Sequence, residues 1–256
     1  DAGHLKRLAK DHLQHGPREV AGHFLAVHGD LAGARLQPDT GDRVLPLAGG
    51  VVPAQRVANR LGWRVLDSGA LYRLVGYAVD QAGNGFEDEK EISKLASSLN
   101  VRFKDGRIYL GGAEVTDLIR TEGAGNNASR VAAMPGVRAA LLDWQRDYAA
   151  FPGLVADGRD MGTTVFPHAG VKIFLTASAA ERAQRRYKQL KEKGLPANLA
   201  ALTAEIEERD ARDRNRAASP LVAAPDAIEI DSTAMGIDEV VDLVLRKAHE
   251  VYATPL

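Results

Sequence analysis

Cysteine is absent from this chain of 256 residues, which excludes disulfides and thiolate metal sites and suits a reducing compartment. No stretch approaches the ~20 apolar residues that a membrane span needs. The opening "DAGHLKRLAKDHLQHG" is polar and lacks the apolar core of a signal peptide. Charge of one sign is missing too: the net value is −1, so no global field draws the chain to nucleic acid or lipid, and a positive site has to be local. Aromatic residues are only 5%, and the arginines follow a compact pocket pattern rather than a basic stripe with stacking rings. These absences give a cytoplasmic protein with no nucleic-acid or membrane partner, expected to be a monomer.

What is present is an ordinary globular balance, 45% hydrophobic and 26% charged. Residues 1–42 differ in texture from the rest. Five of the seven histidines (His4, His12, His15, His23 and His28) lie there among Ala, Gly, Arg and Leu. No pair is backed by a carboxylate at ligand spacing, so the segment reads as an N-terminal extension, foreign or poorly ordered, rather than a metal site. From Arg43 to Leu256 the chain reads as one domain. "RVLPLA" (43–48) is a candidate first strand, weakened by Pro46. Pro53 suits the first turn of a helix that runs to Leu61 and ends at Gly62. "WRVLD", "GLVADGRD", "VKIFLTAS" and "AIEIDST" supply four further strands. Each apolar strand leads into a polar loop and a helix, which predicts a parallel sheet covered on both faces. Between about residues 83 and 121 the rhythm breaks into "VRF", "RIYL" and "AEV", separated by tight-turn residues. That pattern predicts a small antiparallel insertion.

Chemistry gathers where strands end. "LDSGALYR" (66–73) follows the second strand at the edge where open α/β sheets bind ligands. Ser68 is a hydrogen-bond donor there, and Arg73 can grip a phosphate through two bonds; an Asp-Ser helix cap with a surface arginine explains the same residues. "VADGRDMGTTVFP" (155–167) crowds Asp157, Arg159 and Asp160 past another apolar strand, a costly arrangement unless the charges pair or bind something. "EIEERDARDRNR" (205–216) sets Arg209, Asp213 and Arg216 on one helical stripe. A second basic helix, "ERAQRRYKQLKEK" (181–193), carries Arg182 and Arg186 on one face. Joined by "GLPANLAAL", the two make a helical hairpin of the type that closes arginines over a polyphosphate. "NNASRVAAMPGVR" adds Ser129 and Arg138 on a helical stretch.

Together these motifs resemble the bacterial cytidylate kinase family, P-loop nucleoside-monophosphate kinases. "LDSGALYR", "NNASRVAA", "ADGRDMGT", "VKIFLTAS", "ERDARDRNR" and "DST" match it in type, order and spacing from about Pro53 to Tyr252. The resemblance implies an α/β fold with a five-stranded parallel sheet, a small antiparallel β-insertion and a helical lid (about 181–216). It implies transfer of the γ-phosphoryl of ATP to CMP or dCMP with Mg²⁺. Ser68, Arg73, Arg159 and Arg216 would hold the acceptor's phosphate. Ser129, Arg138 and Asp160 would read cytosine, Arg209 and Asp213 would contact the sugar, and Arg182 and Arg186 would lie near the ATP phosphates. Cytosine's amine and two acceptors call for such a carboxylate with Arg and Ser donors.

One part departs. The family's Gly-rich loop falls on "VLPLAGGVV" (44–52), where Gly49 matches a loop glycine, Gly50 takes the lysine position and Val52 the threonine position. That lysine reaches the β/γ-phosphates and the hydroxyl ligates Mg²⁺, so Gly49 and Gly50 are only a weak remnant of an ATP site. Two origins stand open: residues 1–52 as foreign sequence, such as an out-of-frame reading, or a variant that keeps a CMP site without ATP handling. Either way, severely impaired transfer is expected, with a catalytically inactive cytidine-nucleotide-binding module as the rival.

Overall fold

The computed structural model describes residues 23–28 and 51–252, apart from 84, 105, 106, 150, 151, 193, 216 and 218. Strand β1 (His23–His28) and helix α1 (Val51–Leu61) open the described chain. Then come β2 (Arg64–Asp67), α2 (Ser68–Gln81) and α3 (Glu89–Ser98). A meander of β3 (Val101–Lys104), β4 (Arg107–Leu110) and β5 (Ala113–Glu114) follows. After a short helical turn at Leu118–Arg120 come α4 (Glu122–Ala132), α5 (Pro135–Asp147) and β6 (Gly153–Asp157). A wide helical turn at Met161–Val165 leads to β7 (Val171–Thr176), α6 (Ala179–Glu192), α7 (Leu199–Asn215), β8 (Ile228–Asp231) and α8 (Ile237–Tyr252).

The main sheet has the order β2–β6–β1–β7–β8 with every pairing parallel. Four of its strands fall on the four apolar runs from "WRVLD" onward. The remaining strand differs from expectation: it is His23–His28, inside the stretch read as an extension, while "RVLPLA" (43–48) lies outside the described residues. The run "FLAV" is continuous and apolar, as suits a strand flanked on both sides. Pro46 could not donate to a ladder at that position.

Apolar side chains separate by strand face, because alternate residues point opposite ways. Leu66, Leu154 and Ala156 join one buried cluster with Leu71, Leu74, Val75, Val131, Val137 and Leu141 from α2, α4 and α5. Val155, Ile173, Leu175 and Ile230 join another with Val57 and Ala58 of α1 and Val240, Val244 and Leu245 of α8. The meander forms its own three-stranded antiparallel sheet, with Phe103 against the rings of Trp144 and Tyr148.

The helical stretch expected over 126–138 is two helices. Pro135 cannot extend α4, so Met134 turns extended (φ −86°, ψ 115°) and Pro135 starts α5. Ser129 and Arg138 therefore sit on separate helices. The helix expected at 205–216 begins earlier, at Leu199, where the Asn198 carboxamide oxygen accepts from the Ala201 N–H at 3.0 Å.

Close packing at the start of β6 gives a check on this layering. A Cβ added to Gly153 would lie 2.4 Å from the Trp63 ring. Gly153→Ala is expected to cost about 1–3 kcal/mol of stability through overpacking. Denaturant unfolding would show this as a lower midpoint at unchanged slope.

Candidate functional site

The strands β2 and β6 end in register, with Asp67 beside Asp157. The sheet thus delivers the start of α2 and the loop at 158–160 to one edge. This is the carboxyl edge, and β6 and β7 flank β1 on opposite sides, so the chain crosses from one half of the sheet to the other here.

Asp67 caps α2, its carboxylate accepting from the Ala70 N–H at 2.9 Å. Burial pushes this carboxyl above the ordinary aspartate range, against the opposing pull of that bond and of Arg73 and Arg120. Ser68 starts the helix and is buried; its hydroxyl donates to the Gln145 side-chain oxygen on α5 at 2.7 Å. Arg73, one turn further on, donates to the carbonyls of Ile119 and Thr121 at 2.9 and 3.2 Å. Gly125 permits this approach, since a Cβ there would sit 3.2 Å from the guanidinium.

Arg159 and Asp160 point apart, each to a different helix. Asp160 pairs with Arg138 of α5, and both side chains are nearly sealed from solvent, 4% and 10% exposed. Arg138 also donates to the Ala132 carbonyl at the end of α4, and its guanidinium lies 5.8 Å from the Tyr72 ring centre. Arg159 pairs with Asp213 of α7 at 3.3 Å. Arg159 and Asp160 are thus each matched to a helix distant in sequence. A carboxylate held by one arginine still has lone pairs to offer a ligand, and the arginine still has donors.

On α6 and α7 the arginines divide. Arg182 is buried, forming a two-bond pair with Asp210 of α7, one of these bonds being 3.0 Å, and donating to the Ala177 carbonyl. Arg185 reaches the Ser232 carbonyl at 2.8 Å and so ties α6 to the loop after β8. Arg186 is half-buried. Arg209, one turn before Asp213, has a buried Nε without a hydrogen-bond partner among the described residues. Ser129 is half-buried on α4. Arg216, Gly49 and Gly50 lie outside the described residues.

Ser68, Arg138, Arg159, Asp160 and Asp213 are therefore linked, directly or through one helix, around the ends of β2 and β6. Gln145 and Asp210 belong to the same framework and escaped the sequence reading. A lone Gln in "LLDWQRDY" carries no signal, and Asp210 is one carboxylate in a charge run.

The ATP and Mg²⁺ side fits poorly. Helix α1 begins at Val51, so Val51, Val52 and Pro53 make up its first turn. Pro53 has no N–H to aim at a phosphate, and Val52 has no oxygen for a metal. Among the described residues no group of three or more His, Asp or Glu side chains could hold a metal ion. No helix among them is long and apolar enough to cross a membrane.

Comparison with known proteins bears on the same region. The cytidylate kinase family model matches residues 48–250. A cytidylate kinase of Pseudomonas aeruginosa is 55% identical over 205 residues, covering 78% of this chain and 90% of its own. The cytidylate kinase of Methylococcus capsulatus is 54% identical over 201 residues (77% and 90%). That of Serratia proteamaculans is 54% identical over 203 residues (78% and 89%).

The raised carboxyl of Asp67 sets a pH signature. A folded-state value above the unfolded one means that the folded protein holds the proton more tightly. Stability from this group is therefore lost as pH climbs from the unfolded value through the folded one. Asn caps a helix as well as Asp does, so Asp67→Asn should melt higher than the parent at pH 7. That advantage should shrink as pH falls towards about 3, where both states of Asp67 are largely protonated; thermal melts across pH 3–7 measure it.

Proposed function

The chain belongs to the cytidylate kinase family, and we propose that it recognises CMP or dCMP at the carboxyl edge of its sheet as the acceptor of a phosphoryl group from ATP. The family is one of kinases, and its members act on a small mononucleotide. The observation that carries the proposal is the placement of consecutive residues, Arg159 and Asp160, against helices from distant parts of the sequence. Asp160 and Arg138 form an acceptor-and-donor pair of the kind that can meet a cytosine amine and its adjacent ring acceptors, with Ser129 on the neighbouring helix. Arg73 and Arg159 serve the phosphate end, to which the family resemblance also assigns Ser68 and Arg216. Arg209, with its unpartnered Nε, and Asp213 face the sugar. Arg182 and Arg186 lie on the helical pair that would close over the donor as a lid. On this reading the sheet is of the P-loop nucleoside-monophosphate kinase type and the meander is its insertion.

ATP with Mg²⁺ supplies the transferred group in this family. This chain's Gly49-Gly50-Val51-Val52 sequence does not match that task. What the chain's own residues do is bind, orient and neutralise: the guanidinium groups assigned to the phosphate offset an acceptor dianion, while the buried Asp160–Arg138 pair selects the base. Without the lysine and the hydroxyl, electrostatic support for transfer is largely missing. The rival reading, a cytidine-nucleotide-binding module without catalysis, draws on the same Gly50 and Val52.

A coupled assay with ATP and CMP should give turnover far below the ~1–100 s⁻¹ usual for kinases. Calorimetry should show CMP binding tighter than UMP or AMP. Turnover in the normal range would overturn the impairment, and preference for another monophosphate would overturn the cytosine assignment.

A further inference from the structure

A fully buried amide stands out among the polar groups that the proposed site does not use. Gln145 lies two turns beyond Arg138 on α5 and is 1% exposed. Its Nε2 donates to the Leu141 carbonyl at 3.2 Å. That bond fixes the amide's sense, because the reversed amide would set oxygen against oxygen. Oε1 is therefore the acceptor, and the Ser68 hydroxyl is the donor, at 2.7 Å.

Ser68 is 2% exposed, and a Cβ on Gly158 would come within 2.9 Å of the Ser68 Cβ. The bond thus joins three elements at one point: the start of α2, the end of α5 and the loop leaving β6. Arg138, Leu141 and Gln145 form one stripe of α5 at i, i+3 and i+7. The stripe is pinned by polar bonds at both ends, Arg138 to Asp160 and Gln145 to Ser68, about 10 Å apart along the helix. An apolar contact tolerates sliding; two directional bonds in a low-dielectric setting do not.

We propose that Gln145 is a positioning residue: its bond to Ser68 acts as a strut that fixes the spacing between Arg73 on α2 and Arg138 on α5. The inference rests on the reading that these arginines serve opposite ends of one CMP molecule. The single Ser68 proton is committed to Gln145. Turning that hydroxyl towards a phosphate would strand a buried amide oxygen, a costly state. Ser68 therefore acts on the nucleotide through the placement of α2.

Titration calorimetry of CMP and of cytidine, with the parent chain, Gln145→Met, Ser68→Ala and the double variant, tests this. Met fills the volume of Gln without the acceptor. CMP should bind about tenfold more weakly to Gln145→Met. Cytidine, which does not span both ends, should change by less than about twofold by the same reasoning. In the Ser68→Ala background, Gln145→Met should add no further loss. The double variant should also melt above Ser68→Ala alone, because it leaves no stranded amide oxygen. Should Gln145→Met fail to fold, Gln145→Leu removes the same acceptor. Unchanged CMP affinity, equal losses for cytidine and CMP, or independent losses from the two residues would overturn the strut while leaving the site standing. A parent chain that binds no CMP would instead overturn the site and the strut with it.

Discussion

The arrangement depends on one dipeptide. Arg159 and Asp160 leave the same strand end, yet one is drawn to α7 and the other to α5. Neither ion pair is exposed enough to be trivial, and a buried charge that loses its partner is strongly destabilising. Two helices far apart in sequence are thereby held at a fixed place relative to the end of β6. Each pair is neutral in itself, so neither charge of the dipeptide is left uncompensated.

The two sides of the sheet edge differ in completeness. On the side of α2, α4 and α5, side chains are capped, paired and packed: Asp67 on α2, Ser68 on Gln145, Arg138 on Asp160. On the side of α1 the first turn is Val-Val-Pro, with neither a hydroxyl nor a full set of N–H donors. The groups at the ends of β2 and β6 and those at the start of α1 are different residues, so one set can be preserved while the other is lost. The cytidylate kinase family match over residues 48–250 includes all of the paired residues at the ends of β2 and β6.

Much of the fold is legible in the sequence because local pattern and burial agree. "WRVLD", "VKIFLTAS" and "AIEIDST" are apolar runs that lead into polar loops, and each became a strand. Gly62, with φ of 67°, ends α1 where its lack of a side chain allows. The break at Pro135 was also written in the chain, but helical periodicity on both sides of it masked the stop. The central strand was not legible: "HFLAVH" sits among histidines and lacks the strand–loop–helix rhythm, and only pairing with β6 and β7 defines it. Of the candidate site, charged motifs gave residue types and spacing. Partners did not follow from spacing. That Arg159 would choose Asp213, that Arg182 would choose Asp210, and that Ser68 would meet a glutamine 77 positions away are outcomes of tertiary packing.

The anchoring of α6 has a mechanical corollary. Its first turns are held to the body of the protein by Arg182, through the Ala177 carbonyl, and by Arg185, through the Ser232 carbonyl, while the Arg182–Asp210 pair locks α6 to α7. Its far end runs out to Gly194, with φ of 69°, and to exposed residues up to Asn198. The pair of helices is thus a cantilever, clamped at the root and largely exposed to solvent at the described residues of its tip. Thermal bending of such a beam grows towards its unsupported end, so residues near the clamp keep their geometry while the tip sweeps the widest arc.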